Sequence, residues 1–106
     1  MKSITVTELS QILSEGNDSL LLDVRDPWEY EHCNIKGSIN IPLSEIDKRL
    51  EELDQVKSII VICHHGARSW QAANFLTGRN ISENIMNLDG GIDAWATQID
   101  PEMPRY

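Results

Sequence analysis

Ser58-Ile59-Ile60-Val61-Ile62-Cys63-His64-His65-Gly66-Ala67-Arg68-Ser69 is the stretch that decides the fold. Residues 59–62 are all β-branched aliphatics, the strongest strand signal in the chain. The run stops at Cys63, and a short loop holding Gly66 follows. Residues 70–78 then read as a helix, with Ala72, Phe75 and Leu76 on a common face.

The same alternation extends outward in both directions. Ile4 and Val6 suggest a short first strand. Thr7 is placed to cap a helix carrying Leu9, Ile12 and Leu13, which Gly16 ends. Leu20-Leu21-Leu22-Asp23-Val24 has the continuous apolar character of a strand buried on both faces. In Asp26-Pro27-Trp28-Glu29, Asp26 caps a helix, Pro27 takes its first turn and Glu29 reaches back. Gly37 breaks that region, and Ile39 and Ile41 mark a short strand before Pro42. Leu43, Ile46, Leu50 and Leu53 form one helical stripe. Ile85-Met86-Asn87-Leu88 is the last strand. Gly90-Gly91 turns the chain into a final helix carrying Ile92, Trp95 and Ala96. The tail, residues 100–106, contains Pro101 and Pro104 and is expected to lie extended on the surface.

Strands joined by helices predict an α/β fold: a mostly parallel sheet with helices on both faces. Sites in such sheets lie outside the carboxyl ends of the strands. That rule points to the loop after Ile62.

The 106 residues suffice for one compact domain, taken as residues 1–106, which buries roughly two-thirds of its unfolded surface. A net charge of −8 argues against a nucleic-acid partner and against docking on an anionic membrane. No apolar run approaches the roughly 20 residues that span a bilayer. The first residues lack the apolar core of a signal peptide, so a cytoplasmic location is expected. The two cysteines, Cys33 and Cys63, form neither a CxxC motif nor a disulfide framework.

Cys63 sits at the mouth of a loop whose amides can point inward and bind an anion. The following helix adds its positive end, and Arg68 supplies a full charge. Gly66 permits backbone angles that other residues resist. All of these favour the thiolate, the nucleophilic form, and a persulfide anion benefits from the same donors.

Four segments in order resemble the rhodanese family. They are Leu21-Leu22-Asp23-Val24-Arg25-Asp26-Pro27-Trp28-Glu29-Tyr30, Ile35-Lys36-Gly37-Ser38-Ile39-Asn40-Ile41-Pro42, Ile60-Val61-Ile62-Cys63 with its loop to Arg68, and Asn87-Leu88-Asp89-Gly90-Gly91-Ile92-Asp93-Ala94-Trp95. The resemblance implies a rhodanese-like fold with a five-stranded parallel sheet, and a persulfide intermediate on Cys63. Such proteins take sulfane sulfur from a donor such as thiosulfate and pass it to a thiol or cyanide, in two half-reactions and without metal or organic cofactor. His64, His65, Gly66, Ala67, Arg68 and Ser69 are then the expected substrate-binding residues, with Arg25 as a further candidate contact. Residues 101–106 also resemble the ends of rhodanese domains attached to enzymes that adenylate ubiquitin-like sulfur carriers. A protein sulfur donor or acceptor is therefore a second expectation. Tyrosine and dual-specificity phosphatases place five residues between cysteine and arginine. Here four, His64 to Ala67, make a tighter ring suited to one sulfur atom.

Other readings accompany these. Cys63 as an inert core cysteine is at odds with its place before Gly66 and Arg68. A metal site joining His32, Cys33, Cys63, His64 and His65 lacks zinc-type spacing. Cys33 is either packed or a resolving thiol. Asp23 and Arg25 form an ion pair or turn bond unless Arg25 meets substrate. Trp28, Trp70 and Trp95 are read as packing residues, with an apolar rim beside the loop as a second reading of Trp70.

Overall fold

β1 (Lys2–Ile4) runs directly into α1 (Val6–Ser14). Thr5 caps this helix, not Thr7. The Glu8 amide donates to Thr5 Oγ1 at 3.1 Å, and the Thr5 amide donates to Glu8 Oε1 at 3.0 Å. The reciprocal box needs an acid three residues beyond the cap, and of the two threonines only Thr5 has one. Val6 accordingly falls in the helix instead of the strand.

The chain continues through β2 (Leu20–Asp23), α2 (Pro27–His32) and β3 (Ile39–Asn40). The helical stripe expected over residues 43–53 is instead two 3-10 turns, Leu43–Lys48 and Leu50–Glu52. Arg49 breaks them at φ −126°, ψ 25°, and its guanidinium binds Glu45 and Glu52. Ile46 and Leu53 are still buried. β4 (Ser58–Ile62), α3 (Ala67–Gly78), β5 (Asn84–Leu88) and α4 (Gly91–Gln98) complete the order. The computed structural model describes residues 1–16 and 18–106. Among these residues no helix is long and apolar enough to cross a membrane.

All strand pairings are parallel, in the order β1-β5-β4-β2-β3. β4 is central and bonded on both sides, which is why its side chains are apolar on both faces. Ile60 and Ile62 pack with Val6 and Leu9 of α1 and Ile92 and Trp95 of α4. Ile59, Val61 and Cys63 pack on the other face, against Ala72, Ala73 and Leu76 of α3 and against Ile46 and Leu53. Each fully buried Val, Leu or Ile side chain among these contributes about 1.5–3 kcal/mol. Strand alternation thus carries Cys63 to the α3 face, one step beyond Ile62.

A charged pair closes the carboxyl end of β2. Arg25 Nη2 donates to Asp23 Oδ2 at 2.7 Å, with both side chains fully buried. Arg25 Nε donates to the same carboxylate, Nη2 donates to the Cys33 carbonyl at 2.6 Å, and Nη1 donates to the Glu29 carbonyl at 3.2 Å. Burial opposes the guanidinium charge. The bonds to Asp23 and Tyr106 outweigh it and hold Arg25 above its ordinary pKa. Arg25→Met should therefore leave a buried, unbalanced carboxylate and lower stability by about 3–5 kcal/mol. Urea unfolding monitored by tryptophan fluorescence reads this directly; a loss under about 1 kcal/mol would contradict the assigned burial.

Candidate active site

The loop after β4 is shaped by two helix starts. Gly66 is the N-cap of α3 and holds φ +113°, in the left-handed region that favours glycine. That turn brings the Gly66 amide to 3.0 Å from Cys63 Sγ, donating to the sulfur. The first helical bond comes later, from the Trp70 amide to the Gly66 carbonyl. The amides at the start of α3 have no acceptor within the helix, and its positive end faces the sulfur side of the loop. α4 secures the loop from the other side. The Ile92 amide donates to the Cys63 carbonyl at 2.8 Å, and the Asp93 amide donates to the His64 carbonyl at 3.0 Å. The approach is so close that a Cβ on Gly91 would lie 2.2 Å from the Cys63 carbonyl oxygen.

Arg68 closes the loop by reaching away from it. Its two terminal nitrogens donate to Glu29 Oε1 at 2.7 Å and Oε2 at 2.9 Å, a bidentate pair. Glu29 also accepts from the Asp26 amide at 3.0 Å, so the carboxylate that starts α2 also holds the loop after β4. Arg68 above all, with help from Tyr106 and Asp26, brings the Glu29 pKa from 4.5 to about 2. The Glu29 bond in turn raises that of Arg68.

The model of the rhodanese-like domain family matches residues 5–98, a span that includes every element of this site except the tail. The chain belongs to the rhodanese-like family. A sulfurtransferase from Allochromatium vinosum is 34% identical over 96 residues, which cover 91% of this chain and 89% of that protein. The adenylyltransferase and sulfurtransferase MOCS3-1 of Drosophila pseudoobscura pseudoobscura is 38% identical over 97% of this chain. The chain spans only 24% of that longer relative. The crystal structure of reduced CoADR-RHD from Bacillus anthracis superposes with a TM-score of 0.84 at 37% identity, covering 100% of this chain and 18% of that one. The fold implied by the four sequence segments is thus the fold observed.

Within this rhodanese-like domain, the expected site residues separate into groups. Cys63, Gly66 and Ala67 lie in the loop and first helical turn, with Ala67 exposed. His64 is half-buried, its ring 4.1 Å from that of Tyr106 and 4.2 Å from that of His65. Burial, then the neighbouring His65, lower its pKa and favour the neutral ring. The His65 side chain is exposed, with Nδ1 4.0 Å from Asp93 Oδ2. Ser69 points inward: it is fully buried and its hydroxyl donates to Asn87 Oδ1. Arg25 is likewise fully buried, and its nitrogens are committed to Asp23, the Glu29 and Cys33 carbonyls and Tyr106. Its geometry is that of the ion pair, not of a surface open to substrate. Cys33 and Cys63 are both free thiols. They pack into opposite layers of the sheet, a poor arrangement for joining them. Among the described residues no cluster of three or more His, Cys, Asp or Glu is arranged to hold a metal ion.

Sequence reading missed the partner role of Glu29 and the placement of the tail. Residues 101–106 lie largely on the surface as expected, but they turn at 101–103 and are pinned at two points. Met103 is buried against the α1–α4 layer, and the Tyr106 hydroxyl donates to Glu29 at 2.7 Å. Met103 and Tyr106, the two large apolar side chains of the tail, were the available signal.

Two expectations follow from these contacts. Gly91→Ala should displace α4 from the Cys63 and His64 carbonyls and cost roughly 2–4 kcal/mol, read by chemical denaturation. Glu29 contributes stability that is fully present above its unfolded pKa near 4.5 and is lost as pH falls toward 2. The shift sets an upper bound of about 3 kcal/mol, and solvent around the 36%-exposed Arg68 side chain screens part of it. The stability gap between the wild type and Glu29→Gln should narrow across that acid range; a gap independent of pH there would refute the assignment.

Proposed function

We propose that this domain transfers sulfane sulfur through a persulfide on Cys63. The observation that carries the reading is the Gly66 amide aimed at Cys63 Sγ from 3.0 Å, at the carboxyl end of the central strand and beside the start of α3. A hydrogen-bond donor and a helix N-terminus both stabilise negative charge on sulfur. The relatives named as sulfurtransferases support the same chemistry.

In the first half-reaction the Cys63 thiolate attacks the outer sulfur of the donor. With thiosulfate, a new S–S bond forms, the donor's own S–S bond breaks, and sulfite leaves with its electron pair. In the second, an acceptor thiolate or cyanide attacks the outer sulfur, and the electron pair of the cleaved bond returns to Cys63. Both steps are nucleophilic displacements, so no external oxidant or reductant enters. In both steps the Gly66 amide and the nearby start of α3 stabilise the sulfur's charge, and His64 and His65 follow it in the loop.

A protein relay is the second reading, and the Arg68–Glu29 pair favours it. Thiosulfate is a dianion, and the loop's one guanidinium is already neutralised by a carboxylate. On a chain of net charge −8, that weakens attraction for a small dianion. A persulfide delivered by a partner protein does not need that cation. The longer relatives, in which a matching segment is one part of an adenylyltransferase and sulfurtransferase, agree with a relay.

Intact mass after incubation with thiosulfate or a low-molecular-weight persulfide tests the chemistry. One sulfur atom should be gained and then removed by cyanide, and Cys63→Ser should lower transfer at least roughly a thousandfold with the fold retained. Absence of any cyanide-labile sulfur with either donor would sink the proposal. Loading from the persulfide should outpace loading from thiosulfate; the reverse order would dismiss the relay reading.

A further inference from the structure

Tyr106 grips the active-site loop at both ends. Its ring meets that of His64 edge-on at 4.1 Å, one residue past the nucleophile. Its hydroxyl donates to Glu29 Oε2 at 2.7 Å, and Glu29 holds Arg68 at the far end of the loop. The same oxygen accepts from Arg25 Nη1 at 2.8 Å, so a charged group fixes it on each side. Trp28 and His32 stand around the ring, each with its centroid 5.5 Å away. Burial, the largest influence, pushes the phenol up to about 12, so it stays protonated at neutral pH. Two further contacts anchor the approach to it. Met103 is buried, and Arg105 Nη2 lies 2.8 Å from Asp93 Oδ1 at the start of α4.

Cys63 itself is only 1% exposed. A nucleophile so enclosed reacts only with what can enter past the groups at its mouth. His64 follows Cys63 directly in the chain, and its ring packs against that of Tyr106.

We propose that Tyr106 determines which reactants reach Cys63, its ring walling the mouth so that slender nucleophiles such as cyanide enter more readily than bulky thiols. The identity of those nucleophiles rests on the sulfur-transfer reading; the wall does not. At the loaded site, the cyanide carbon bonds to the outer persulfide sulfur, the S–S bond breaks, and its electron pair remains on Cys63. Thiocyanate departs. A thiolate acceptor follows the same path and leaves as a persulfide.

Alkylation of Cys63, resolved by peptide mass, tests the wall without any sulfur chemistry. The two probes are iodoacetamide and a maleimide carrying a large fluorophore. Tyr106→Ala should raise the ratio of maleimide to iodoacetamide rates about tenfold or more, while Tyr106→Phe, which keeps the ring, stays near the wild-type ratio. Mere loosening of the tail admits both reagents alike and leaves the ratio fixed, so an unchanged ratio in Tyr106→Ala overturns the proposal. The kcat/KM ratio of glutathione to cyanide should rise in parallel. A shifted alkylation ratio with no sulfur transfer by the wild type would refute the transfer reading alone.

Discussion

A fully buried guanidinium, Arg25 on Asp23, is the constraint around which this domain's carboxyl edge is organised. Removing two charges from water costs several kcal/mol per ion unless every remaining donor and acceptor is satisfied. Arg25 meets that demand by bonding to β2, to the end of α2 and to the tail at once. Those bonds fix where α2 ends and where Tyr106 can sit. Among the described residues no buried side-chain nitrogen or oxygen lacks a partner, so the network is closed. From it the order passes through Glu29 to Arg68, and so to the loop that carries the thiol.

The loop is held from below by backbone contacts. Parallel strands deliver Cys63 at their carboxyl end, where amides of both α3 and α4 are available. The N-cap of α3 turns the Gly66 amide to the sulfur, and α4 binds the Cys63 and His64 carbonyls. A donor therefore faces the Cys63 sulfur while the loop's own acceptors are taken up elsewhere. Gly66 and Gly91 make this possible for different reasons. The first supplies a left-handed turn, and the second lets two backbones approach where a side chain would collide.

Much of this was legible from the residues. The apolar runs at 20–24 and 58–62 signalled buried parallel strands because both faces of those strands are covered. The Asp26-Pro27-Trp28-Glu29 start reads correctly because capping is local. The Thr5 cap was missed because Thr7 offers the same hydroxyl, and only the spacing to Glu8 separates them. The stripe over 43–53 has helical spacing, yet spacing does not distinguish an α-helix from short 3-10 turns interrupted at Arg49. The least legible features were the long-range ones. Glu29 and Arg68 are 39 positions apart, and Arg25 and Tyr106 are 81 apart. No local pattern encodes such a pairing, because each side chain already has a sufficient local reading as cap, ion pair or surface tail.

The parity of β4 carries one more consequence. Ile59, Val61 and Cys63 share a face, and Ile60 and Ile62 share the opposite one. Deleting or inserting a single aliphatic residue in this strand would leave it as apolar as before, yet would deliver the thiol into the layer beneath α1 and α4, away from α3. Transplanting this loop onto another parallel sheet is therefore an arithmetic problem before it is a chemical one: an even offset keeps the sulfur beside its helix, and an odd offset moves it to the opposite layer.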